Sequence, residues 1–288
     1  MNTKNKPMER VFHGAFLTCG LLSIAFVFGI TAYLIVSGVP AIAKVGLGNF
    51  LLGQLWDPGK EQFGIFPFIL TSVYGTIGAM VMGLPLGLLT ALYLSKFAGK
   101  TASRIIRSAV EMLAGIPSVV YGLVGMIVLV PAIQASFNLS SGATLLAAIV
   151  VLTVMVLPYT VNVSSAALDA VPREYEEGSL ALGATETETY FKISVRTARS
   201  GIAAAAVQGA GRALGEAMAI IMVAGNVANM PQLFGSVRFL TTAIVSEMSY
   251  APYGSLHREA LFSIGLVLFI FIVLANIVLN LIARREVK

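Results

Sequence analysis

Charged residues, cysteine and histidine are all scarce in this sequence of 288 residues. Asp, Glu, Lys and Arg make up 11% of the chain, whereas an ordinary soluble domain has roughly 25%. Hydrophobic residues make up 57%, and the mean hydropathy is +0.86. Cys19 is the single cysteine, so an internal disulfide is excluded, and two histidines are too few for a typical zinc site. The composition excludes a soluble domain, a disordered chain and a charged coiled coil, and it indicates a polytopic membrane protein.

Long uncharged runs predict six membrane-spanning helices, since about twenty apolar residues cross a bilayer core of ~30 Å. The predicted spans are 12–38, a helix that starts at Phe66, two helices within 111–169 divided by a proline-marked break at 131–142, then 201–225 and 260–283. The first run is longer than the apolar region of a signal peptide, although Ala41-Ile42-Ala43 leaves cleavage open as an alternative.

The basic residues indicate the topology. Most of the 19 lysines and arginines lie in the N-terminal tail, in 96–107, in 169–200 and in 284–288. With six spans these segments share one side, which the positive-inside rule assigns to the cytoplasm together with both termini. We therefore expect no nucleic-acid partner. We divide the chain into an N-terminal tail, first span and periplasmic loop (1–66), a core of five spans (67–283) with a cytoplasmic segment (169–200), and a C-terminal tail (284–288).

Glycine and proline recur within the predicted spans. Small residues let helices approach closely in lipid, so we expect tight packing at the glycines. The glycines in question are Gly83, Gly87, Gly115, Gly122, Gly125, Gly211 and Gly215. Pro85 and Pro117 are candidates for points of flexing.

Arg212 and Glu216 place two charges inside the fifth predicted span. A charge at mid-bilayer costs at least ~2.5–3.5 kcal/mol, so it needs a partner or water. Residues four apart share a helix face, and two interpretations follow. The pair could tie the span to its neighbours, or Arg212 could contact an anionic substrate while Glu216 holds the guanidinium between transport events. Signatures of nucleotide binding, zinc catalysis and serine hydrolysis are missing, so we expect no catalytic residue, metal or cofactor.

The segment 169–200 holds six of the 14 acidic residues together with several basic ones. It predicts two short amphipathic helices, 173–182 and 186–196, joined at Gly183, whose apolar patches meet a soluble partner. A loop packed only on its own membrane domain is the alternative. We expect the Glu176 side chain to be solvated.

This segment resembles the loop through which permease subunits of ABC importers engage their ATPase, with the pattern E-A-A, three residues, G, nine residues, I-x-L-P. Glu177-Gly178-Ser179 stands at E-A-A, Gly183 at the glycine and Ile193 at the isoleucine, while Val195-Arg196 replaces L-P. EMLAGIPSVVYG at 111–122 and GRALGE at 211–216 are similar to phosphate importer permeases of the PstC type. The PstA-type subunit shares the Arg-Ala-Leu-Gly-Glu core.

The resemblance implies an all-α, type I ABC importer permease (MetI-like) fold of six helices in lipid of the bacterial inner membrane. The implied function is import of inorganic phosphate by alternating access. The implied partners are a PstA-type permease subunit, a PstB-type ATPase dimer that binds the ATP, and a PstS-type periplasmic phosphate-binding protein. It supports Arg212 and Glu216 as pathway residues, and it assigns the ATPase coupling to Glu177, Gly178, Ser179, Gly183 and Ile193. An importer of an amino acid or sulfate, and a non-transporting sensor or scaffold, remain alternatives.

Overall fold

A computed structural model describes residues 6–285, which form fourteen α-helices and one two-stranded hairpin. Lys4 of the N-terminal tail and the last three residues of the predicted tail 284–288 lie outside the described residues. Within the described part, five helical stretches are long and apolar enough to cross a membrane. These are Val11–Val45, Phe66–Phe97, Ser118–Ser136, Leu145–Asp169 and Leu256–Val278.

The first half of the chain contains three of these stretches, with a hairpin between the first and second and an amphipathic helix between the second and third. The elements are α1 (Lys6–Val45), α2 (Leu47–Leu52), β1 (Trp56–Asp57), β2 (Gln62–Phe63), α3 (Phe66–Leu92), a π-helical turn (Tyr93–Phe97), α4 (Lys100–Gly115), α5 (Ser118–Val124), a second π-helical turn (Gly125–Leu129) and α6 (Val130–Ser136). Strands β1 and β2 are antiparallel, with Trp56 opposite Phe63. We call the end of the bundle that carries this hairpin the hairpin end.

The second half begins with the central helix and ends with the last span. The elements are α7 (Leu145–Asp169), α8 (Arg173–Ala181), α9 (Glu186–Thr189), a third π-helical turn (Tyr190–Ser194), α10 (Val195–Thr197), α11 (Arg199–Gly215), α12 (Met218–Val223), α13 (Leu240–Glu247) and α14 (Leu256–Arg285). Residues 169–200 form one unit at the opposite end from the hairpin, and we call them the coupling segment.

Helix α7 lies at the centre of the bundle. Helices α3 and α11 pack extensively against it, and its apolar side chains form a core with α11, α12 and Phe239. Helix α1, in contrast, packs mainly along α14, where Tyr33 contacts Phe262 edge-on and Lys44 pairs with Glu259 at 2.8 Å. The most apolar part of α1 has no buried residue.

Some of the predicted glycine contacts exist and others do not. A Cβ added at Gly87 would lie 2.1 Å from Thr160 Oγ1, and one at Gly122 would lie 2.9 Å from the Ala219 Cα. Close helix packing is therefore confirmed at these positions. At Gly115, Gly211 and Gly215 an added Cβ would meet nothing within 4 Å, so these glycines make no close helix contact within this chain.

The third span starts later than the sequence predicted. Glu111 lies in α4, and the chain leaves helical geometry at Ile116, since a residue before proline disfavours it. The span begins at Ser118. The break predicted at 131–142 also starts later, because Pro131 lies inside α6 and the chain stays helical to Ser136. The ring of a proline clashes with a carbonyl of the preceding turn in a regular α-helix. The turn before Val130 and Pro131 is π-helical instead.

The fifth span is two helices rather than one. Helix α11 ends at Gly215, Glu216 is extended with φ −76° and ψ 128°, and α12 begins at Met218. Thr241 Oγ1, at the start of α13, donates a hydrogen bond of 2.8 Å to the Glu216 carbonyl oxygen. Broken helices occur at membrane depth where protein groups satisfy the backbone. Counting this broken element together with the five long apolar stretches gives the number of passes that the sequence predicted.

Candidate functional site

Glu216 is held tightly at the break between α11 and α12. Its side chain is 4% exposed, and its Oε1 accepts a hydrogen bond of 3.0 Å from the Ala219 backbone N–H. An acceptor at the start of a helix satisfies a backbone donor that the helix itself leaves unpaired. The Glu216 carboxylate therefore caps the start of α12.

Arg212 lies one turn earlier on α11 and is more accessible. Its Nη2 is 3.5 Å from Glu216 Oε2, and 39% of its side chain is exposed. The guanidinium carbon lies 5.8 Å from the centre of the Tyr159 ring, which suits a cation–π contact. The structure thus brings the two predicted pathway residues together but gives them different surroundings.

The pair can do two things chemically. The guanidinium presents planar donors that match two oxygens of an oxyanion at once. A separation of 3.5 Å is longer than the 2.7–2.9 Å typical of a charge-assisted hydrogen bond, so Glu216 holds the guanidinium loosely. An incoming anion could therefore take up the donors of Arg212 without disturbing the Glu216 cap.

The coupling segment has the two-helix form that the sequence predicted. Gly183 joins the halves with φ +87°, a conformation that favours glycine, and the second half starts with a capping box between Thr185 and Glu188. The predicted helix bounds agree with α8 and with the run from α9 to α10 within one residue at each end. A hydrogen bond with Lys192, as its largest cause, lowers the pKa of Glu188.

The residues assigned to ATPase coupling are distributed along this unit. Glu177 and Gly178 are exposed on α8, and Ile193 is half-buried in the third π-helical turn. Ser179 Oγ lies 2.9 Å from Thr189 Oγ1, which links the two halves. An added Cβ at Gly178 would meet nothing, so glycine in place of the family's alanine removes no packing contact.

Glu176 corrects the expectation from sequence that it is solvated. Its side chain is 14% exposed, its Oε1 pairs with Lys96 Nζ at 2.5 Å, and Ser194 Oγ donates to the same oxygen at 2.7 Å. Beside it, Tyr190 meets Phe97 edge-on with ring centres 5.1 Å apart. Burial, and then the carboxylates of Glu186 and Glu176, raise the pKa of Tyr190, so its phenol stays neutral to higher pH than a free tyrosine.

A second buried carboxylate, Glu247, was missed by the sequence reasoning. It receives hydrogen bonds from Trp56 Nε1 at 2.9 Å and from Arg238 Nη1, and it lies 2.7 Å from His257 Nε2. This cluster ties the hairpin, α13 and α14 together at the hairpin end. A signal existed in the sequence, because Arg238, Glu247 and His257 are ionisable residues separated by uncharged stretches.

Comparison with known proteins gives consistent matches. The family described as binding-protein-dependent transport system inner membrane component matches residues 83–288. The chain is 36% identical to the probable ABC transporter permease protein YqgH of Bacillus subtilis, with 99% of this chain and 94% of that protein aligned. It is 32% identical to the phosphate transport system permease protein PstC of Haemophilus influenzae, with 96% and 94% aligned.

A solved structure extends the likeness to the fold. A bacterial ABC transporter involved in the import of the acidic polysaccharide alginate matches with a TM-score of 0.67. The match covers 98% of this chain and 100% of that chain at 14% sequence identity. A sequence identity of 14% supports a shared fold and no conclusion about the solute.

Proposed function

This chain belongs to the family of binding-protein-dependent transport system inner membrane components, and we propose a transport mechanism on that basis. It has the all-α fold of ABC importer permeases that the sequence predicted, and it is a multi-pass protein of the inner membrane. Its likeness to PstC proteins over most of its length identifies it as a phosphate importer permease subunit. Permeases of this family work with an ATPase and a binding protein.

The specific partners follow from the likeness to PstC. They are a PstA-type second permease subunit, a PstB-type ATPase dimer and a PstS-type periplasmic phosphate-binding protein. The ATPase binds and hydrolyses ATP, and this chain conducts the solute. The coupling segment and both termini lie in the cytoplasm, and the hairpin end faces the periplasm. The basic residues at the end that carries the coupling segment support this orientation.

Arg212 is the residue that receives phosphate within the membrane. The observation that carries this assignment is a guanidinium 39% exposed beside a helix break and only loosely held by a buried carboxylate. ATP binding closes the ATPase dimer, the coupling segment moves with it, and the spans open the pathway toward the periplasm. Phosphate then accepts hydrogen bonds from the Arg212 guanidinium, which pairs with Glu216 again once phosphate has left. Such alternating access needs two states with the site between them.

Replacing Arg212 tests the assignment. We expect Arg212→Gln to lower uptake of radiolabelled phosphate at least tenfold, since roughly 1.4 kcal/mol of lost anion binding corresponds to a factor of ten. Arg212→Lys keeps the charge but loses the planar fork, so an intermediate rate is expected. Arg104→Gln, at an exposed position on α4, is the matched control and should transport normally. Normal uptake by Arg212→Gln at normal protein abundance would contradict the pathway role.

Competition separates the alternatives for the solute. Excess unlabelled phosphate should suppress the uptake, whereas sulfate and amino acids should leave it unchanged. Suppression by sulfate or an amino acid instead would identify an importer of that solute. A deletion that changes gene regulation but leaves phosphate uptake intact would identify a sensor or scaffold.

A further inference from the structure

Two π-helical turns face each other where the second span meets the coupling segment. The turn Tyr93–Phe97 ends the second span and contributes Lys96 and Phe97, and the turn Tyr190–Ser194 contributes Tyr190 and Ser194. A π-helical turn inserts a residue into a helix and is often found at functional sites. Here the two turns bring charged, hydroxyl and aromatic side chains onto one point of contact.

Glu176 joins these two turns. It lies on α8, and one of its oxygens contacts both Lys96 of the first turn and Ser194 of the second. The pair with Lys96 is shielded, with 10% and 14% of the two side chains exposed. The nearby pair between Arg107 and Asp169 is 37% and 45% exposed. Exposed pairs are screened and contribute little, whereas removing one partner of a shielded pair leaves an uncompensated charge, so the pair of Glu176 with Lys96 is the costlier of the two to break.

Apolar packing also joins the coupling segment to the second span, through a cluster that includes Ala91, Leu92, Val171 and Ala198, but α8 contributes no residue to this cluster. No residue of α8 is fully buried, and its packing is chiefly on α9 and the third π-helical turn within the same segment. The charged contact between α8 and the second span is the pair of Glu176 with Lys96.

We propose that Glu176 is a positioning residue that clamps the coupling segment to the second span, so that a movement of the segment is passed to α3. The clamp consists of Glu176, Lys96 and Ser194, with the aromatic contact between Phe97 and Tyr190 beside it. This inference rests on the proposed function, in which an ATPase moves the coupling segment. Because α3 packs along α7, a displacement of the C-terminal end of α3 is transmitted to the core of the bundle.

The test measures how much phosphate is transported for each ATP hydrolysed by the complete importer in liposomes. We expect Glu176→Gln and Lys96→Met to lower this ratio by about twofold to thirtyfold, the range seen for mutations in coupling networks. The ATPase should still co-purify, because the exposed face of α8 is unchanged. Glu174→Gln is the matched control, since Glu174 is an exposed glutamate in the first turn of the same helix.

A charge reversal tests positioning against a purely structural role. The double variant Lys96→Glu with Glu176→Lys restores the ion pair, and a lysine can also donate to the Ser194 hydroxyl. We expect it to recover most of the ratio. If the single variants lower the amount of assembled importer while the ratio for each assembled complex stays at the wild-type value, the proposal is overturned.

Crosslinking tests the clamp independently of which solute the importer transports. A carbodiimide can join the native Lys96 amine to the Glu176 carboxylate through an amide bond, in complexes without nucleotide and in complexes trapped with ATP, and mass spectrometry of the digested chain measures the product. A clamp that moves as one unit crosslinks equally in both states, whereas crosslinking in one state alone overturns the inference. Absence of phosphate uptake by the wild-type importer, with equal crosslinking, would reject phosphate as the solute and still support the clamp.

Discussion

Glu216 and Glu247 are both buried carboxylates, and their surroundings give them different tasks. Glu247 has three side-chain partners, from the hairpin, from the residue before Phe239 and from α14. Glu216 has one backbone donor and an ion pair at 3.5 Å. A carboxylate with several close donors is suited to stability, since every donor is satisfied. The looser contact at Glu216 leaves Arg212 able to exchange partners.

Glu247→Gln should therefore destabilise the protein. Arg238, with 16% of its side chain exposed, would keep its hydrogen bonds to the Asn226 carbonyl oxygen but lose its charged partner, and breaking a buried pair on one side costs about 3–5 kcal/mol. Thermal unfolding of the purified chain in detergent measures the effect. Lys60→Met is the control, because it breaks the exposed pair with Asp57 and should change the stability by less than about 1 kcal/mol. Equal unfolding temperatures for Glu247→Gln and wild type would argue against this role.

At the scale of elements, the turn at Gly183 decides how the two halves of the coupling segment are arranged. Its φ of +87° is left-handed, and a β-branched residue is strained there whatever space surrounds it. Gly183→Val should reorient the second half and reduce co-purification of the ATPase several-fold. Gly183→Asn is the matched control, since asparagine tolerates this conformation better. Equal losses for both substitutions would point to a need for glycine other than its backbone freedom.

The sequence predicted whole elements better than their ends and interruptions. Apolar runs located all five of the long apolar helices, because twenty apolar residues crossing lipid leave few alternatives to a helix. The break at Glu216 could not be predicted, since its carbonyl is satisfied by Thr241 from another element. Glu176 looked solvated for a similar reason: its partner Lys96 is distant in the sequence, and no periodicity relates the two residues. Predictions failed where a contact between distant residues overrides a local pattern.

At the scale of the whole molecule, the seam between α3 and α7 joins the coupling segment to the centre of the bundle. Lys96, in the π-helical turn that follows α3, contacts Glu176, and the inner face of α3 lies against α7, where Gly87 meets Thr160. Rocking of the spans as a unit requires this seam to stay closed, because packed helices transmit movement only while they remain in contact.

Gly87→Val tests the seam. Its Cβ would lie 2.1 Å from Thr160 Oγ1 and 2.8 Å from Thr160 Cβ, so the helices must separate. Overpacking of this kind costs about 1–3 kcal/mol, and we expect a lower unfolding temperature together with slower phosphate uptake. Gly20→Ala, where an added Cβ meets nothing, should change neither quantity. If Gly87→Val unfolds and transports like the wild type, α3 and α7 can part without consequence, and movement must reach the pathway through another contact.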